Sequence, residues 1–232
     1  MDFYEQFYEN FQNSWDTHMA AFGPILAPAF KDNFEAKIHL TAALNNISRR
    51  EFEKCFIKLN ILKDMCSSDE DCAAWFFCMG LAFEFSGMKD EMLRYYNECV
   101  KYEPSFSLPY LMIAKCSHAE GNPAFAEKYY EKAVHFLEEE HLPTQTPRII
   151  SSVYVNYFSC LTSIGKYSEA ETYLKESEEI FQDFPERLHY AAILYAYMGN
   201  NKKYNEYMLL LEKENPNLYK TTKKLIEELQ SQ

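Results

Sequence analysis

The sequence is poor in the residues that form tight turns, since its 232 residues include only six glycines and nine prolines. That supply is too small for the many turns of an all-β fold, whereas 47% hydrophobic residues are ample for a packed helical core. No apolar run reaches 18 residues, so no transmembrane helix is predicted. The amino terminus also lacks the basic and apolar regions of a signal peptide. We therefore expect a helical, cytoplasmic protein.

Positive charge is scarce as well. The chain has 35 acidic and 23 basic residues, a formal net charge of −12, and no run of Lys or Arg longer than two residues. Residues 1–35 hold six acids and one base, so they contribute −5 of the −12. Nucleic acids and anionic membranes are both attracted by basic patches, so we predict neither as a partner.

Motifs for catalysis or metal binding are missing too. The seven cysteines contain no CxxC pair, and several lie at apolar helical positions, which predicts buried, reduced thiols. The six histidines never pair with a second His or a Cys at i+3 or i+4, and there is no Gly-rich phosphate loop. We therefore expect no enzyme activity, no bound metal and no cofactor.

Four of the six glycines recur at a fixed spacing. Gly121 follows Gly87 by 34 residues, and Gly199 follows Gly165 by 34 residues. Apolar residues at helical spacing lie on both sides of each of these glycines. A fixed period of this length indicates a repeated helix–turn–helix unit in which the glycine closes the turn.

Small residues recur inside the units when the turn glycine is numbered as repeat position 15. Position 20 of the third and fourth units is alanine, and position 8 reads, in chain order, Ala43, Gly80, Ala114, Phe158 and Ala192. Small side chains are needed where two antiparallel helices approach closely. Pro104 and Pro216 both occupy position 32, where a helix must end.

This pattern resembles the tetratricopeptide repeat (TPR) over residues 36–216. The resemblance implies an all-α, right-handed α-solenoid of five helix–turn–helix pairs, with approximate units at 36–68, 73–106, 107–140, 151–184 and 185–216. Arg50 departs from the family by occupying the glycine position of the first unit, and Phe158 departs from it at position 8. We expect Phe158 either to widen its helix pair or to be accommodated by a small neighbour. The step from Gly121 to Gly165 is longer than one repeat, and the extra residues lie at 138–147, which predicts a loop between units. Thr146-Pro147 is expected to open the next helix.

A helix is predicted at each end of the array. Residues 1–35 are predicted to form an amphipathic helix and a connector, with an apolar, mostly aromatic face of Tyr4, Phe7, Tyr8, Phe11, Trp15 and Met19. This helix either caps the first repeat or folds back into the groove of the array. Asp32 and Glu35 have capping-box spacing before the first repeat helix. Residues 217–232 form a capping helix with Leu218, Leu225, Ile226 and Leu229 facing inward.

In the family that the chain resembles, the first helix of each unit lines a concave groove. The resemblance assigns to the groove Phe77, Cys78, Leu81, Phe85, Leu111, Met112, Lys115, Asn156, His189 and Tyr190, and it also places His118, Ala119 and Ser159 at groove positions. The family's carboxylate clamp for chaperone tails is absent, because residues such as Phe77, Leu81 and Met112 occupy its positions.

These residues predict an adaptor that binds an apolar peptide or helix of a partner protein in the groove. The amino-terminal helix is an internal competitor for the same surface. A cytosolic chaperone for a secreted or membrane client is one alternative, and a structural homo-oligomer, such as a homodimer joined by exposed aromatics, is another.

Overall fold

The computed structural model describes residues 3–139, 147–180 and 185–230. These ranges contain twelve α-helices and no strand. The helices are α1 (Phe3–Leu26), α2 (Phe34–Ser48), α3 (Phe52–Lys63), α4 (Asp69–Ser86), α5 (Lys89–Tyr102), α6 (Ser107–Ala119), α7 (Pro123–Glu139), α8 (Pro147–Ser163), α9 (Tyr167–Ile180), α10 (Pro185–Tyr197), α11 (Asn201–Glu214) and α12 (Pro216–Gln230). The predicted all-α class is confirmed.

The turn glycines all take the left-handed conformation that favours glycine. Gly87 has φ +79°, and the other three have φ between +67° and +80°. The Gly87 N–H donates to the Glu84 carbonyl at 3.0 Å, and the Met88 N–H donates to the Phe83 carbonyl at 2.9 Å. The turns at Gly121, Gly165 and Gly199 repeat both hydrogen bonds. The glycines therefore end the first helix of each pair with the same capping motif.

Arg50 forms the same turn without a glycine. Its φ is +58°, its N–H donates to the Ile47 carbonyl at 2.9 Å, and the Glu51 N–H donates to the Asn46 carbonyl at 2.8 Å. A left-handed conformation costs a residue with a Cβ roughly 1–2 kcal/mol. The first unit thus keeps the turn of the later units at an energetic cost that they avoid.

One predicted helix start is confirmed and another is wrong. Ser68 caps α4, because its side chain accepts a hydrogen bond from the Asp71 N–H, and α8 begins at Pro147 as predicted. The capping box at Asp32 is wrong: Asn33 caps α2, and its side-chain oxygen accepts from the Ala36 N–H at 3.0 Å. Thr146 and most of the predicted loop at 138–147 lie outside the described residues.

The chain divides into two compact units. The amino-terminal unit comprises Met1–Ile113 and Lys132–Thr146, and the carboxy-terminal unit comprises Ala114–Glu131 and Pro147–Gln232. In the amino-terminal unit, α2 packs on α3 and α4 packs on α5, while α1 contacts α2 and α4. In the carboxy-terminal unit, α8 packs on α9 and α10 packs on α11, and α12 contacts α10 and α11.

The residues at repeat position 8 produce two different kinds of packing. At Gly80, an added Cβ would lie 2.6 Å from the Cδ1 and Cε1 atoms of Tyr96, so α4 and α5 approach closely. Phe158 is instead completely buried in the carboxy-terminal unit, with its ring edge-on to that of Tyr190 at 6.3 Å. The carboxy-terminal unit therefore takes this large ring into its core.

The end helices differ in part from their predictions. In α12, Ile226 joins the core formed with Leu188, Ala192, Met208 and Leu211. Leu225 was expected to face inward but is 37% exposed. On the helix, its side chain lies about 100° away from that of the buried Ile226, so the two residues face different directions. The side chains of Tyr4, Phe7, Tyr8 and Leu229 lie outside the described part of the chain, so the predictions made for them have no structural counterpart.

Candidate functional site

The predicted apolar groove is not open in the amino-terminal unit. Phe77 is 1% exposed, and its ring lies edge-on to Phe106 at 4.9 Å and to Phe22 at 5.2 Å. Cys78, Leu81 and Leu111 are buried as well, and Met112 is half-buried. Among the apolar residues assigned to the groove, Phe85 is the one with substantial exposure, at 50% within the described residues. These residues were expected either to form an open apolar surface or to be covered by the amino-terminal helix, and their burial contradicts the open surface.

The kinked carboxy-terminal end of α1 explains part of this burial, and the connector after it is fastened to α4. Phe22 has non-helical backbone angles, φ −133° and ψ 24°, so the helix kinks at the residue that contacts Phe77. Further on, the Phe30 N–H donates to Asp71 Oδ1 at 2.6 Å. The Ser67 N–H and hydroxyl each donate to Asp71 Oδ2 at 2.9 Å. A buried carboxylate thus fastens the connector to the start of α4.

The environment of Asp71 keeps its carboxylate ionised. Burial opposes the charge, but the hydrogen bonds from Ser67, Phe30 and Ser68 together hold the pKa of Asp71 below its ordinary value. A carboxylate that accepts several N–H and O–H bonds is stabilised in its charged form. The contact with Phe30 is therefore made by an anion at neutral pH.

An open cleft of about 400 Å³ lies in the carboxy-terminal unit. Residues at predicted groove positions meet there from three helices, among them Lys115 from α6, Asn156 from α8 and Tyr190 from α10. The remaining lining residues are His118, Ala119, Tyr130 and Ser159. The first helices of three successive pairs therefore contribute to one cleft.

His189 was predicted to line the groove but does not line this cleft. Its Nδ1 atom lies 2.7 Å from the Thr222 hydroxyl, and that hydroxyl donates to the Leu218 carbonyl at 2.7 Å. The hydroxyl proton is thus in use, so Nδ1 of His189 carries the proton and donates. His189 fastens α12 to α10, and burial lowers its pKa, which favours the neutral ring.

The hydrogen bonds of His118 define its protonation in the cleft. His118 Nε2 lies 3.0 Å from Ser163 Oγ, and the Ser163 hydroxyl donates to the Cys160 carbonyl at 2.7 Å. Ser163 therefore accepts, and Nε2 of His118 carries the proton. Burial lowers the pKa of His118, so the ring is neutral and Nδ1 remains an acceptor.

Asn156 presents one half of its amide to the cleft. Its Nδ2 group donates to the Ser152 carbonyl at 2.7 Å, which fixes the orientation of the side chain. No hydrogen bond from the described residues reaches its Oδ1 atom. The half-buried Asn156 is therefore held in place with a carbonyl oxygen available to an incoming N–H donor.

Lys115 supplies the positive charge of the cleft. Its side chain is exposed, and in the described part of the chain it takes part in no ion pair. Some lysines of this unit are neutralised by a carboxylate, as when Lys203 meets Glu171 at 2.7 Å. Lys115 is thus available to an anionic group of a ligand.

Aromatic rings form the walls. Tyr130 is buried, lies edge-on to His118 at 6.3 Å and stacks on Tyr157 at 5.8 Å. Tyr190 is half-buried against Phe158. Burial raises the pKa of both cleft tyrosines, so their phenol groups remain protonated and neutral. The cleft combines one cation and fixed polar groups with flat apolar surfaces.

Within 3–139, 147–180 and 185–230, no three His, Cys, Asp or Glu side chains are grouped as a metal site would require. None of the helices described has both the length and the apolar character needed to cross a membrane.

No family model matches the chain, and no curated protein sequence matches it. Solved structures do. The chain is similar to YrrB, described as a TPR protein with an unusual peptide-binding site, with a TM-score of 0.59 and 18% identity over 84% of this chain and 95% of YrrB. The chain has the TPR fold. It is also similar to the type IV pilus biogenesis factor PilW (TM-score 0.54, 15% identity, 82% and 98% covered) and to MamA (0.58, 11%, 80% and 94%).

The TPR fold explains how the cleft residues come together. Lys115, His118, Ala119, Asn156, Ser159 and Tyr190 all occupy positions that the resemblance had assigned to the groove. Tyr130 was missed, because its position in the second helix of a TPR pair predicts a ring that fills the gap between pairs. It does fill that gap, and its edge also reaches the cleft.

Proposed function

We propose that the protein is an interaction scaffold that binds an extended peptide of a partner protein in the cleft of the carboxy-terminal unit. The observation that carries this proposal is the convergence of Lys115, Asn156 and Tyr190 from three helices in one open cleft. It replaces the apolar peptide expected from the sequence, because Phe77 and Cys78 are buried against the chain itself.

The chemistry of the cleft suits a peptide that carries an acidic group. The Oδ1 atom of Asn156 can accept a backbone N–H of the ligand, and Lys115 can pair with a carboxylate. Tyr190 offers an aromatic surface for a side chain of the ligand. The peptide-binding site named for YrrB, a protein of the same fold, is consistent with such a role.

Selection from a displayed library of random peptides tests the proposal. We expect peptides enriched in Asp or Glu, with binding measured by fluorescence anisotropy. The Asn156→Ala variant should weaken their binding roughly 10-fold or more, because a fixed hydrogen-bond acceptor worth about 1–3 kcal/mol is lost. Lys115→Ala should weaken it up to about fivefold, as expected for an exposed charge pair.

Lys128→Ala is the matched control, since Lys128 is an exposed lysine in the same unit that does not line the cleft. Its affinity for the selected peptides should equal that of the wild type. Selected peptides that bind all three variants with equal affinity would place the binding surface elsewhere and refute the proposal. Thermal melts of each variant separate lost binding from lost folding.

A further inference from the structure

Another open cleft, of about 570 Å³, lies in the amino-terminal unit and is lined by residues of α1 and α2. Its volume is within the range of sites that bind small molecules. The lining residues are Asn10, Phe11, Asn13 and Ser14 from α1, Ile38, Thr41, Ala42 and Asn45 from α2, and Arg49 directly after α2. Six of these nine side chains are polar, so this cleft differs from the buried apolar surface around Phe77.

The charge of this cleft is opposite to that of the surrounding chain. Arg49 is the one charged residue among the described residues that line it, whereas residues 1–35 carry a net charge of −5. The Arg49 side chain is exposed, and its guanidinium makes no ion pair or hydrogen bond with a described residue. A guanidinium holds its N–H donors in a plane that matches a carboxylate or a phosphate. The cleft therefore favours an oxyanion.

A chain of hydrogen bonds ends in the same cleft. His18 Nε2 lies 3.0 Å from Asn45 Oδ1, and since an amide oxygen only accepts, Nε2 carries the proton and donates. Asn45 Nδ2 donates in turn to Ser14 Oγ at 3.2 Å. Ser14 thus accepts, and no other described residue takes its hydroxyl proton. The bonds run in one direction, from the buried His18 to a Ser14 hydroxyl that is left to donate to a ligand.

The spacing along α2 brings the cation close to that hydroxyl. Asn45 and Arg49 are four residues apart and lie on the same face of the helix, because Arg49 keeps helical backbone angles, φ −90° and ψ −1°. Asn45 also holds Ser14 through its amide. Arg49 and Ser14 therefore flank the same amide, and one ligand group can contact both.

We propose that this cleft binds a small organic molecule by its oxyanion, a carboxylate or a phosphate joined to a flat apolar group. Arg49 pairs with the oxyanion, and the Ser14 hydroxyl donates to one of its oxygens. The side-chain amides of Asn10 and Asn13 make no hydrogen bond within the described residues, so they can donate to the remaining oxygens. The half-buried ring of Phe11 offers a flat surface to the apolar group.

Fragment binding followed by NMR tests the proposal on the isotope-labelled full chain. The probes are phenyl phosphate and benzoate, which join a flat ring to the two kinds of oxyanion. We expect dissociation constants on the order of 1 mM, as is usual for fragments of this size. The backbone amide of Ser14 and the side-chain amide of Asn45 should shift, because both border the bound oxyanion.

Arg49→Gln should weaken the binding of the probes about tenfold, because a charge-assisted contact is lost. The matched control is Arg50→Gln, since Arg50 is the next residue, is exposed and carries the same charge but does not line the cleft. Its affinity should equal that of the wild type. Ser14→Ala leaves the charge unchanged and should weaken binding about three- to fivefold. Circular dichroism of each variant shows whether it is folded.

The two probes separate the sources of the oxyanion. Shifts with phenyl phosphate alone assign a phosphate ligand, and shifts with benzoate alone assign a carboxylate ligand. Lys115 in the other unit is also open to anions, so the readout is confined to Ser14 and Asn45. Lys115→Ala should leave their shifts unchanged, which keeps this test independent of the proposed peptide cleft.

Three results would overturn the proposal. The first is the absence of shifts at Ser14 and Asn45 with either probe up to about 20 mM, well above the expected dissociation constant. The second is equal binding of benzyl alcohol, a neutral molecule of similar size. The third is equal weakening by Arg49→Gln and Arg50→Gln, which would mean that the probes respond to diffuse positive charge and not to the cleft.

Discussion

Residues at groove positions of the repeat are buried in the amino-terminal unit and line an open cleft in the carboxy-terminal unit. Phe77 and Cys78 of the amino-terminal unit are buried, and Phe22 from α1 packs on Phe77. Asn156 and Tyr190 of the carboxy-terminal unit stand at groove positions too, and they line an open cleft. A repeat position therefore determines the face of the helix on which a residue lies. Whether that face is free depends on segments outside the repeat.

The strongest test of this difference is Phe77→Ala. Removing a completely buried phenylalanine ring should lower the free energy of unfolding by about 3–5 kcal/mol. Phe85→Ala is the matched control, because Phe85 lies on the same helix at a predicted groove position but is 50% exposed. It should change stability by less than about 1 kcal/mol. Urea denaturation measures both values, and equal effects would mean that Phe77 is not the core residue described above.

Gly80→Ala tests the close approach of α4 and α5. The new Cβ would lie 2.6 Å from the ring of Tyr96, a buried residue whose hydroxyl donates to Glu84 at 2.8 Å and so resists movement. We expect a loss of about 1–3 kcal/mol from overpacking. In an unconstrained helix the same change would stabilise by about 0.5–1 kcal/mol. A stabilised variant would thus contradict the packing.

Tyr96→Leu provides the matching background for that test. With the ring removed, the added methyl group should be tolerated, so the penalty of Gly80→Ala should largely disappear. The carboxy-terminal unit has Phe158 at the same repeat position. It shows that the position itself does not require a small residue when the neighbouring rings leave space.

The smallest expected effect concerns pH. Burial lowers the pKa of His118, so the folded chain holds this proton less tightly than the unfolded chain does. The stability contributed by neutral His118 is complete above the unfolded pKa of about 6.5 and is lost as the pH falls through the lower folded value. His118→Gln should therefore reduce the loss of stability between pH 7 and pH 5.

The exposed His135 is the control for that measurement. His135→Gln should leave the pH dependence of the denaturation midpoint closer to that of the wild type. If stability falls equally with pH in the wild type and in His118→Gln, the cleft does not desolvate His118. That result would contradict the description of the cleft, because His118 would then be as well hydrated as a residue on an open surface.

The sequence predicted local features well and burial between elements poorly. The left-handed turns at Gly87 and Gly199 follow from glycine itself, since few other residues accept that backbone conformation. The burial of Phe77 depends in part on its contact with Phe22 at the kink of α1, and no local pattern in the sequence specifies that long-range contact. Leu225 failed for a related reason, because its helix buries a narrow stripe centred on Ile226.

Individual residues of the candidate site could be predicted from the sequence, but the surface that remains open could not. Lys115, Asn156 and Tyr190 were identified because their positions recur in the repeat. These three residues are accessible, whereas most apolar groove residues are buried by other parts of the chain, and the sequence does not reveal which positions are covered. Tyr130 lies between two helix pairs. It could have been predicted only from the argument that a large ring at this position also reaches the groove.

The capping turns have a consequence for the folding kinetics. Each turn described above closes through hydrogen bonds between residues three and five apart, such as Gly165 N–H to Thr162 and Lys166 N–H to Leu161. Such contacts require little loop-closure entropy, and in repeat arrays each unit contacts mainly its neighbours. Any of these hairpins can therefore serve as the nucleus. The hairpin that turns at Arg50 should be among the last to form, because the left-handed backbone conformation of a non-glycine residue raises its free energy.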